Sequence, residues 1–416
     1  MKKTSIAWAP NAQKDDLLLA FKLLFQPWKW YGHKDVTKLE NKFSEYIGQD
    51  SLSFDSGRSA LYAILKSYNI KEGDEIALQA FTCVALPNPI LWTGATPIYI
   101  DVDKKNFNLD IDDLEKKLTS NTKAVIVQYT FGICPNIERI IEICKMRNLL
   151  LIEDCCHNLG QEINIKGKPY KAGTIGDAAI FSFGMEKVIS GTRGGMATTQ
   201  NPEILKRLQK FQIRMRRPRL REVLRGIMNS INWKAKENFG IFGELFFKLM
   251  IKLKLQDFGL TKLELIGKKA AWLPYTLPNT NAVLILNQLH KIDKFNYHRK
   301  ETVEKYYELI KNSELKLPDL EYVRKFACPV WLRLPVIVDN PKQLVNKTEK
   351  QNIYLGNWYT SVIHCKDVDL NAMKYIKGSC PNAEWLSAHT INLPTHIGIT
   401  ETEVGKIVGQ ILQNPS

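Results

Sequence analysis

Between about residues 49 and 199, short apolar runs alternate with segments whose apolar positions recur every three or four residues. Short buried strands that alternate with helices are typical of a mostly parallel sheet covered by helices on both faces. We therefore predict an α/β fold for this region. The predicted strands are 74–81, 96–102, 123–131, 148–154 and 177–183, and the predicted helices between them include 59–69 and 136–148.

A second region runs from about Thr280 to the C-terminus. It opens with one long helical period at 281–312 and continues with an apolar strand at 330–338. It ends in a helix at 399–414, whose start carries a capping box at Thr400. This mixture predicts a smaller α+β domain, so that residues 1–275 form a large domain and residues 276–416 a small one.

A basic, partly apolar stretch at about 215–275 interrupts the alternation. Residues 201–281 carry 17 Lys and Arg residues against 6 Asp and Glu residues, which is most of the formal net charge of +15. Two interpretations stay open: an arm that packs on a partner subunit, or a peripheral contact with an anionic membrane. Both use an apolar stripe with helical spacing, formed by Phe242, Leu245, Phe246, Leu249, Met250 and Leu253.

The composition of the 416-residue chain, 44% hydrophobic, is that of a globular protein. No uncharged apolar run is long enough to span a membrane, and the apolar stretch near the start is too short for a secretory signal. The eight cysteines form no CxxC pair, which favours free thiols in a reducing cytoplasm. We expect a cytoplasmic protein, with attachment to the cytoplasmic face of a membrane as the alternative for the insertion. No nucleic-acid partner is expected, because no recognition module accompanies the positive charge.

Two residues point to a specific chemistry. Asp154 ends the apolar run LLLIED, and Lys187 follows the next strand in the small-residue loop FGMEKVISGTRGG. The carboxyl ends of parallel strands meet at one edge of a sheet, where ligands bind. A lysine can form an imine with the aldehyde of pyridoxal 5'-phosphate, and an aspartate at the pyridine nitrogen keeps that ring protonated and electron-withdrawing. We therefore predict this cofactor, with Lys187 and Asp154 as catalytic residues and no metal.

Several blocks in a fixed order resemble the DegT/DnrJ/EryC1/StrS family of pyridoxal-phosphate-dependent sugar aminotransferases. They include SGRSALYAIL (56–65), IEDCCHNLGQE (152–162), GDAAIFSFGMEKVISGTRGGMATT (176–199) and INLPTHIGIT (391–400). The resemblance covers roughly residues 31–205 and 280–410. It implies the aspartate-aminotransferase fold, which is the type I fold of pyridoxal-phosphate-dependent transferases.

The resemblance also implies roles for further residues. His157 stands where the family has Gln or His beside the cofactor ring, so it joins the catalytic set. Gly57, Arg58 and Ser59 occupy the phosphate loop, just before a helix whose N-terminus favours an anion. Ser182 is a further candidate for the phosphate, because a buried hydroxyl needs a partner.

The chain departs from the family at three places. Cys83 stands where many members have an aromatic ring that stacks on the cofactor, and the neighbouring Phe81 is a candidate substitute. Arg58 replaces a threonine, and it either contacts the cofactor phosphate or turns outward to a phosphate of the substrate. The segment 272–282 lacks the arginine that the family lends to the neighbouring subunit, and Asn279 is the candidate replacement.

These features together predict a homodimeric aminotransferase whose active site lies near the subunit interface. By resemblance, it would move an amino group, from glutamate, onto a nucleotide-linked keto-sugar in surface-glycan or amino-sugar biosynthesis. Two alternatives remain open. The enzyme could act on a non-sugar cyclic ketone, or the chain could be a membrane-associated regulatory member of the fold without turnover.

Overall fold

The computed structural model of the chain describes residues 3–313 and 315–413. Its strands, in chain order, are β1 Thr4–Ser5, β2 Ser51–Phe54, β3 Glu75–Gln79, β4 Thr82–Cys83, β5 Thr96–Ile100, β6 Val102–Asp103, β7 Asn108–Leu109, β8 Thr122–Gln128, β9 Leu150–Asp154, β10 Glu162–Ile165, β11 Lys168–Lys171, β12 Ala178–Ser182, β13 Gly195–Thr198, β14 Arg333–Ile337, β15 Ile353–Tyr354, β16 Ile363–His364 and β17 Thr390–Pro394.

The α-helices are α1 Lys14–Leu24, α2 Lys34–Ile47, α3 Gly57–Ser67, α4 Pro87–Thr93, α5 Ile111–Lys117, α6 Ile137–Arg147, α7 Pro202–Ile213, α8 Leu220–Asn238, α9 Gly240–Lys252, α10 Asn279–Leu289, α11 Ile292–Ile310, α12 Leu320–Arg324, α13 Pro341–Lys350, α14 Pro381–His389 and α15 Glu401–Leu412. Short 3-10 helices lie at Pro27–Lys29, Thr130–Gly132 and Glu264–Ile266.

The centre of the fold is a seven-stranded sheet in the order β2-β13-β12-β9-β8-β3-β5. Its neighbouring strands run parallel from β12 to β5, and β13 alone is antiparallel to both of its neighbours in this sheet. The predicted α/β class and the mostly parallel sheet are therefore confirmed. The five strands predicted between residues 49 and 199 all contribute to this sheet, whereas the strand predicted at 330–338 is β14, which pairs with β17 in a separate sheet.

Each face of the sheet has its own apolar core. Along β8, Ala124 and Ile126 lie in one core cluster, whereas Val125 and Val127 lie in the other. This alternation follows from the two-residue period of a strand. Because both faces are covered, the strands read as continuous apolar runs without a polar side.

The C-terminal region shares one of these cores. Leu393 on β17 and Ile407 on α15 lie in the same cluster as Ile126 of the central sheet. The capping box at Thr400 forms as predicted, and Asn414 of the predicted helix lies outside the described residues. The division of the chain into domains 1–275 and 276–416 stays a prediction.

The predicted helix at 281–312 is two helices. α10 ends at Leu289 and α11 begins at Ile292, so the break falls at His290 and Lys291. The side chain of Lys291 forms ion pairs with Asp15 and Asp16 at the start of α1. Apolar periodicity continues across so short a break, which is why the pattern alone predicted one helix.

The insertion forms α8 and α9, which lie antiparallel against each other. Gly243 of α9 approaches the backbone of α8 so closely that a Cβ there would lie 2.0 Å from the carbonyl oxygen of Ala235. Gly243, Phe247 and Met250 are the buried residues of α9. Met250 of the predicted stripe is therefore buried, whereas Phe242, Leu245, Leu249 and Leu253 are exposed to solvent in the single chain.

No helix within the described residues is long and apolar enough to cross a membrane. All eight cysteines are free thiols.

Gly195, at the start of β13, is expected to tolerate no side chain. A Cβ there would lie 2.4 Å from the backbone nitrogen of Gly57, at the start of α3. We expect Gly195→Ala to lower the free energy of unfolding in urea by about 1–3 kcal/mol, because the backbone must shift. The control is Gly405→Ala on α15, where nothing lies within 4 Å of the new Cβ. It should stabilise the helix by up to about 1 kcal/mol. Equal effects of the two substitutions would contradict the close approach.

Candidate active site

A cavity of about 340 Å³ opens beside the carboxyl ends of β9 and β12. Such a volume is at the lower end for small-molecule sites, which run from about 300 to 1,000 Å³. The place is the one that open parallel sheets use for ligands. Among the residues that line it are seven predicted from the sequence: Gly57, Arg58, Cys83, Asp154, His157, Ser182 and Lys187.

Asp154 is the last residue of β9, and its neighbours across the sheet are Gln128 on β8 and Ile180 on β12. Its carboxylate accepts a hydrogen bond from the backbone N–H of Cys156 at 3.1 Å. Burial raises the pKa of this carboxyl group, and Lys187 and the Cys156 contacts act in the opposite direction. A buried carboxylate with so few contacts is expected to attract a cation.

Lys187 lies in the loop after β12. Its backbone oxygen accepts a hydrogen bond from the side-chain amide of Asn11 at 2.5 Å, and its backbone N–H donates to Gly184. Its Nζ atom lies 5.1 Å from the centre of the Trp358 ring. The ion pairs around the cavity join other residues, and within the described part of the chain none involves Lys187 or Asp154. Those pairs are Arg58–Glu264, Arg193–Asp257 and Arg333–Glu186.

His157 is buried, with its ring stacked on that of Trp358 at 5.4 Å. Its Nδ1 atom accepts a hydrogen bond from the backbone N–H of Phe131 at 3.2 Å. Burial lowers the pKa of His157 well below the ordinary value, and the nearby charges of Lys187 and Arg333 lower it further. The ring is therefore neutral at pH 7, and because Nδ1 accepts, the proton is on Nε2.

The N-terminus of α3 forms one end of the cavity. The Ser56 side chain caps this helix, and Gly57 is its first residue. A Cβ at Gly57 would lie 3.3 Å from Cys156 Sγ, the Phe181 carbonyl oxygen and Ser182 Cβ. A glycine here leaves the backbone at the start of α3 open beside the Ser182 side chain. Such an arrangement favours binding of a phosphate.

The Arg58 side chain is held by other residues of the chain. Its Nε atom pairs with the buried Glu264 at 2.8 Å, and an Nη2 hydrogen bond of 2.8 Å reaches the carbonyl oxygen of Gly259. These partners come from the insertion, and both orientations expected for Arg58 stay predictions. The guanidinium lies in the cavity wall beside the start of α3.

Three predicted residues lie away from the cavity wall. Ser59 is buried in the first turn of α3, where its hydroxyl bonds to Ser56. Phe81 is buried among aromatic side chains that include Phe131 and Tyr359. Asn279 bonds to Asp35 and to the backbone oxygen of Lys29, and so fixes the start of α2. A role for Asn279 across a subunit interface stays a prediction.

The sequence reasoning missed several residues of this site. Trp358 and Tyr359 line the cavity, and the Arg333 guanidinium lies 3.5 Å from the centre of the Trp358 ring. Arg333 also pairs with Glu186, the residue before Lys187. Burial raises the pKa of Glu186, and Arg333 acts against that shift. An arginine inside an apolar strand, LRLPVIV, was the available signal for this contact.

The residues present fit pyridoxal 5'-phosphate. Asp154 offers a buried carboxylate for a protonated ring nitrogen, Lys187 offers an amine that forms no ion pair within the described residues, and α3 offers a helix N-terminus for the phosphate. The fold and the site together define a pyridoxal-phosphate-dependent aminotransferase of the type I fold.

The chain belongs to the DegT/DnrJ/EryC1/StrS aminotransferase family, whose model matches residues 13–235 and 250–412. It is 28% identical over 376 residues to the dTDP-3-amino-3,6-dideoxy-alpha-D-galactopyranose transaminase of Aneurinibacillus thermoaerophilus, covering 90% of this chain and 88% of that one. It is 24% identical over 379 residues to the GDP-perosamine synthase of Caulobacter vibrioides, covering 91% and 89%.

Solved structures show the same fold. PseC of Helicobacter pylori, an aminotransferase involved in the biosynthesis of pseudoaminic acid, superposes with a TM-score of 0.76 at 20% identity, covering 99% of each chain. Spr1654 of Streptococcus pneumoniae, in its pyridoxamine-phosphate form, gives a TM-score of 0.74 at 20% identity, covering 99% of this chain and 98% of that one.

Lys187 is expected to be the residue that binds the cofactor covalently. Protein purified with pyridoxal 5'-phosphate should be yellow, and borohydride should fix the label on the peptide that contains Lys187. Lys187→Arg keeps the positive charge but should lose both the label and the turnover, because a guanidinium does not replace the amine as nucleophile. Peptide mapping that finds the label on another lysine would overturn the assignment.

Asp154→Asn removes a charge with little change in shape. We expect turnover to fall by about 10²–10³-fold, the usual cost of losing one electrostatic contact to a charged reacting group. The absorption spectrum of the bound cofactor should also shift, because the ring nitrogen loses its anionic partner. Asp112→Asn, at an exposed position of α5, is the matched control. Wild-type turnover and spectrum in Asp154→Asn would leave this residue only a structural role.

Proposed function

We propose that this aminotransferase transfers an amino group from glutamate to a keto-sugar carried by a nucleotide, for surface-glycan or amino-sugar biosynthesis. One observation supports the proposal. Asp154 and Lys187 are oppositely charged groups that line the same cavity, and neither forms an ion pair within the described residues. The named relatives support the substrate class, since they include a dTDP-sugar transaminase and a GDP-perosamine synthase.

The residues of the cavity have separate roles in the reaction. The bound cofactor supplies an electron sink for the carbon that exchanges its amino group. Asp154 holds the proton on the ring nitrogen, and the Nε2–H of His157 is available as a hydrogen-bond donor beside the ring. Lys187 Nζ moves the proton of the reacting carbon. The helix α3 and Ser182 bind the phosphate and fix the position of the ring.

The same cavity serves both half-reactions, because donor and acceptor exchange one amino group through one cofactor. On the side of the C-terminal region, the Arg333 guanidinium lies against the Trp358 ring, which Lys187 Nζ also approaches, and Arg333 pairs with Glu186. A regulatory protein without turnover would not need Asp154, His157 and Lys187 together in one cavity. The non-sugar cyclic ketone remains the second candidate substrate.

An amino-donor screen tests the proposal. The cofactor-loaded protein should convert to its amine form with glutamate, which is seen as a change in absorption. The amine form should then convert UDP-, GDP- or dTDP-linked keto-sugars to products in which an amino group and a hydrogen replace the keto oxygen, as detected by mass spectrometry. Lys187→Arg is the control for uncatalysed exchange. Turnover of free cyclic ketones, with none for the nucleotide-linked sugars, would replace this proposal by its alternative.

We further propose that the exposed apolar surface of α1 and α9 is the interface of a homodimer. Phe21 and Phe25 near the end of α1, and Leu249 and Leu253 near the end of α9, are all about half exposed or more. Both helices pack on α8, so the ends of α1 and α9 lie on the same part of the molecular surface. Apolar surface of this extent is typical of an interface.

The membrane interpretation has one supporting observation. Arg214, Arg217, Arg219 and Arg221 are exposed close to this surface, whereas Arg216 is bound to Glu222. A membrane contact would therefore involve four arginines of this cluster, each contributing about 1 kcal/mol near an anionic surface.

Sedimentation and vesicle flotation separate these two roles. We expect the wild-type protein to sediment as a dimer, and Leu249→Glu to sediment as a monomer, because a charge enters the interface. Ile213→Glu, also exposed but on α7, is the control and should remain dimeric. A wild-type monomer that floats with anionic vesicles at low salt, but not with neutral ones, would favour the membrane contact over the dimer interface.

A further inference from the structure

The end of the insertion returns to the cavity. Residues 257–260 form part of its wall, on the side of the α3 N-terminus. We call this stretch the mouth segment. The sequence analysis predicted that the insertion, which contains this segment, is a dimer arm or a membrane contact. Neither interpretation placed residues 257–260 at the active site.

Buried polar contacts fix the mouth segment. Asp257 pairs with Arg193 at 2.9 Å, and the carbonyl oxygen of Gly259 accepts a hydrogen bond from Arg58 at 2.8 Å. The preceding residue, Gln256, donates to Asn229 on α8 at 2.5 Å. Breaking a buried ion pair leaves an uncompensated charge, so these contacts keep the backbone in place.

Between these anchors, Phe258 holds its ring out toward solvent. Its exposed fraction is 63%, and no other aromatic ring of the described residues stacks on it. Trp233 of α8 lines the same cavity and is itself fixed, because it stacks on Trp8 with ring centres 6.2 Å apart and contacts Phe247. Two aromatic side chains on rigid supports therefore line one cavity with Lys187.

We propose that Phe258 and Trp233 form the subsite for the nucleobase of the substrate, with Phe258 as the stacking residue. This inference rests on the proposed transfer to a nucleotide-linked sugar. The cavity of about 340 Å³ has room for the reacting sugar and the cofactor ring, so that the carrier nucleotide extends to the mouth. A planar base stacks on an aromatic face whatever its hydrogen-bonding pattern.

A positive charge near the mouth suits the diphosphate of such a carrier. Lys236 lies one turn beyond Trp233 on α8, with its Nζ atom 5.4 Å from the centre of the Trp233 ring. Lys236 also pairs with Glu244 at 3.9 Å. Stacking and this cation together favour a planar, anionic carrier over an uncharged sugar.

The test measures binding of free UDP, GDP and dTDP to the cofactor-loaded protein by calorimetry. The wild type should bind at least one of them. Phe258→Ala should weaken that binding by about tenfold or more, the usual loss when a stacking ring is removed. Phe258→Leu, which keeps apolar bulk without a ring face, should be as weak, and Phe258→Trp should bind as the wild type does. Tyr297→Ala removes a similarly exposed ring from α11, outside the cavity wall, and should change nothing.

A kinetic measurement adds a second readout. Since the base is remote from the reacting carbon, Phe258→Ala should raise KM for the nucleotide-linked substrate with kcat nearly unchanged. The half-reaction with glutamate should proceed at the wild-type rate, which also shows that the variant is folded and loaded.

The outcomes separate this subsite from the function on which it rests. Nucleotide binding by the wild type that is unchanged in Phe258→Ala, or equal in Phe258→Leu and Phe258→Trp, would overturn the stacking role and leave the proposed function intact. A wild type that aminates a keto-sugar but binds none of the three nucleotides would overturn both the subsite and the nucleotide-linked substrate. Failure of the glutamate half-reaction in the wild type would instead contradict the aminotransferase chemistry.

Discussion

The buried carboxylate of Asp154 is the constraint on which the site depends. A carboxylate at the end of a central strand loses most of its hydration, and that loss is unfavourable unless a cation or several donors replace the water. The chain supplies one backbone N–H and the more distant charge of Lys187. A protonated ring nitrogen of the cofactor would complete the set. The group that stabilises Asp154 would thereby become a stronger electron sink, so that cofactor binding and reactivity would have one electrostatic origin.

The parallel sheet brings these groups together without long side chains. Asp154 and Ser182 are the last residues of β9 and β12, which are neighbours in the sheet. Gly57 lies just after β2, where its backbone nitrogen closely approaches Gly195 of β13. Residues separated by more than a hundred positions therefore meet because strands of one direction end at one edge. Positioning by strand ends is rigid, which is what a reaction that depends on ring orientation requires.

The sequence predicted the parts of the fold and site that local pattern determines. Strand-end residues such as Asp154, and Lys187 after a buried strand, were found because apolar runs mark where strands end. Trp358 and Arg333 were missed, since their approach to the cavity depends on how the C-terminal region packs, and no local period encodes that packing. Phe81 illustrates the same limit: it is next to the expected position in the chain, but the backbone turns its ring into the core. The break at His290 and the packed face of α9 were likewise decided by contacts with other helices.

Acidic and basic residues have different roles in and around the insertion. All six acidic residues between 201 and 281 form ion pairs, and two of those in the insertion, Asp257 and Glu264, pair with arginines of the cofactor region. Bases outnumber acids there by 17 to 6, so many cations have no acidic partner from within the insertion. The acids thus hold the insertion against the site, while the excess bases leave its surface positive. A positive field of this kind attracts anionic ligands and raises their rate of encounter. One segment can therefore both form the wall of the cavity and favour the approach of an anionic substrate to it.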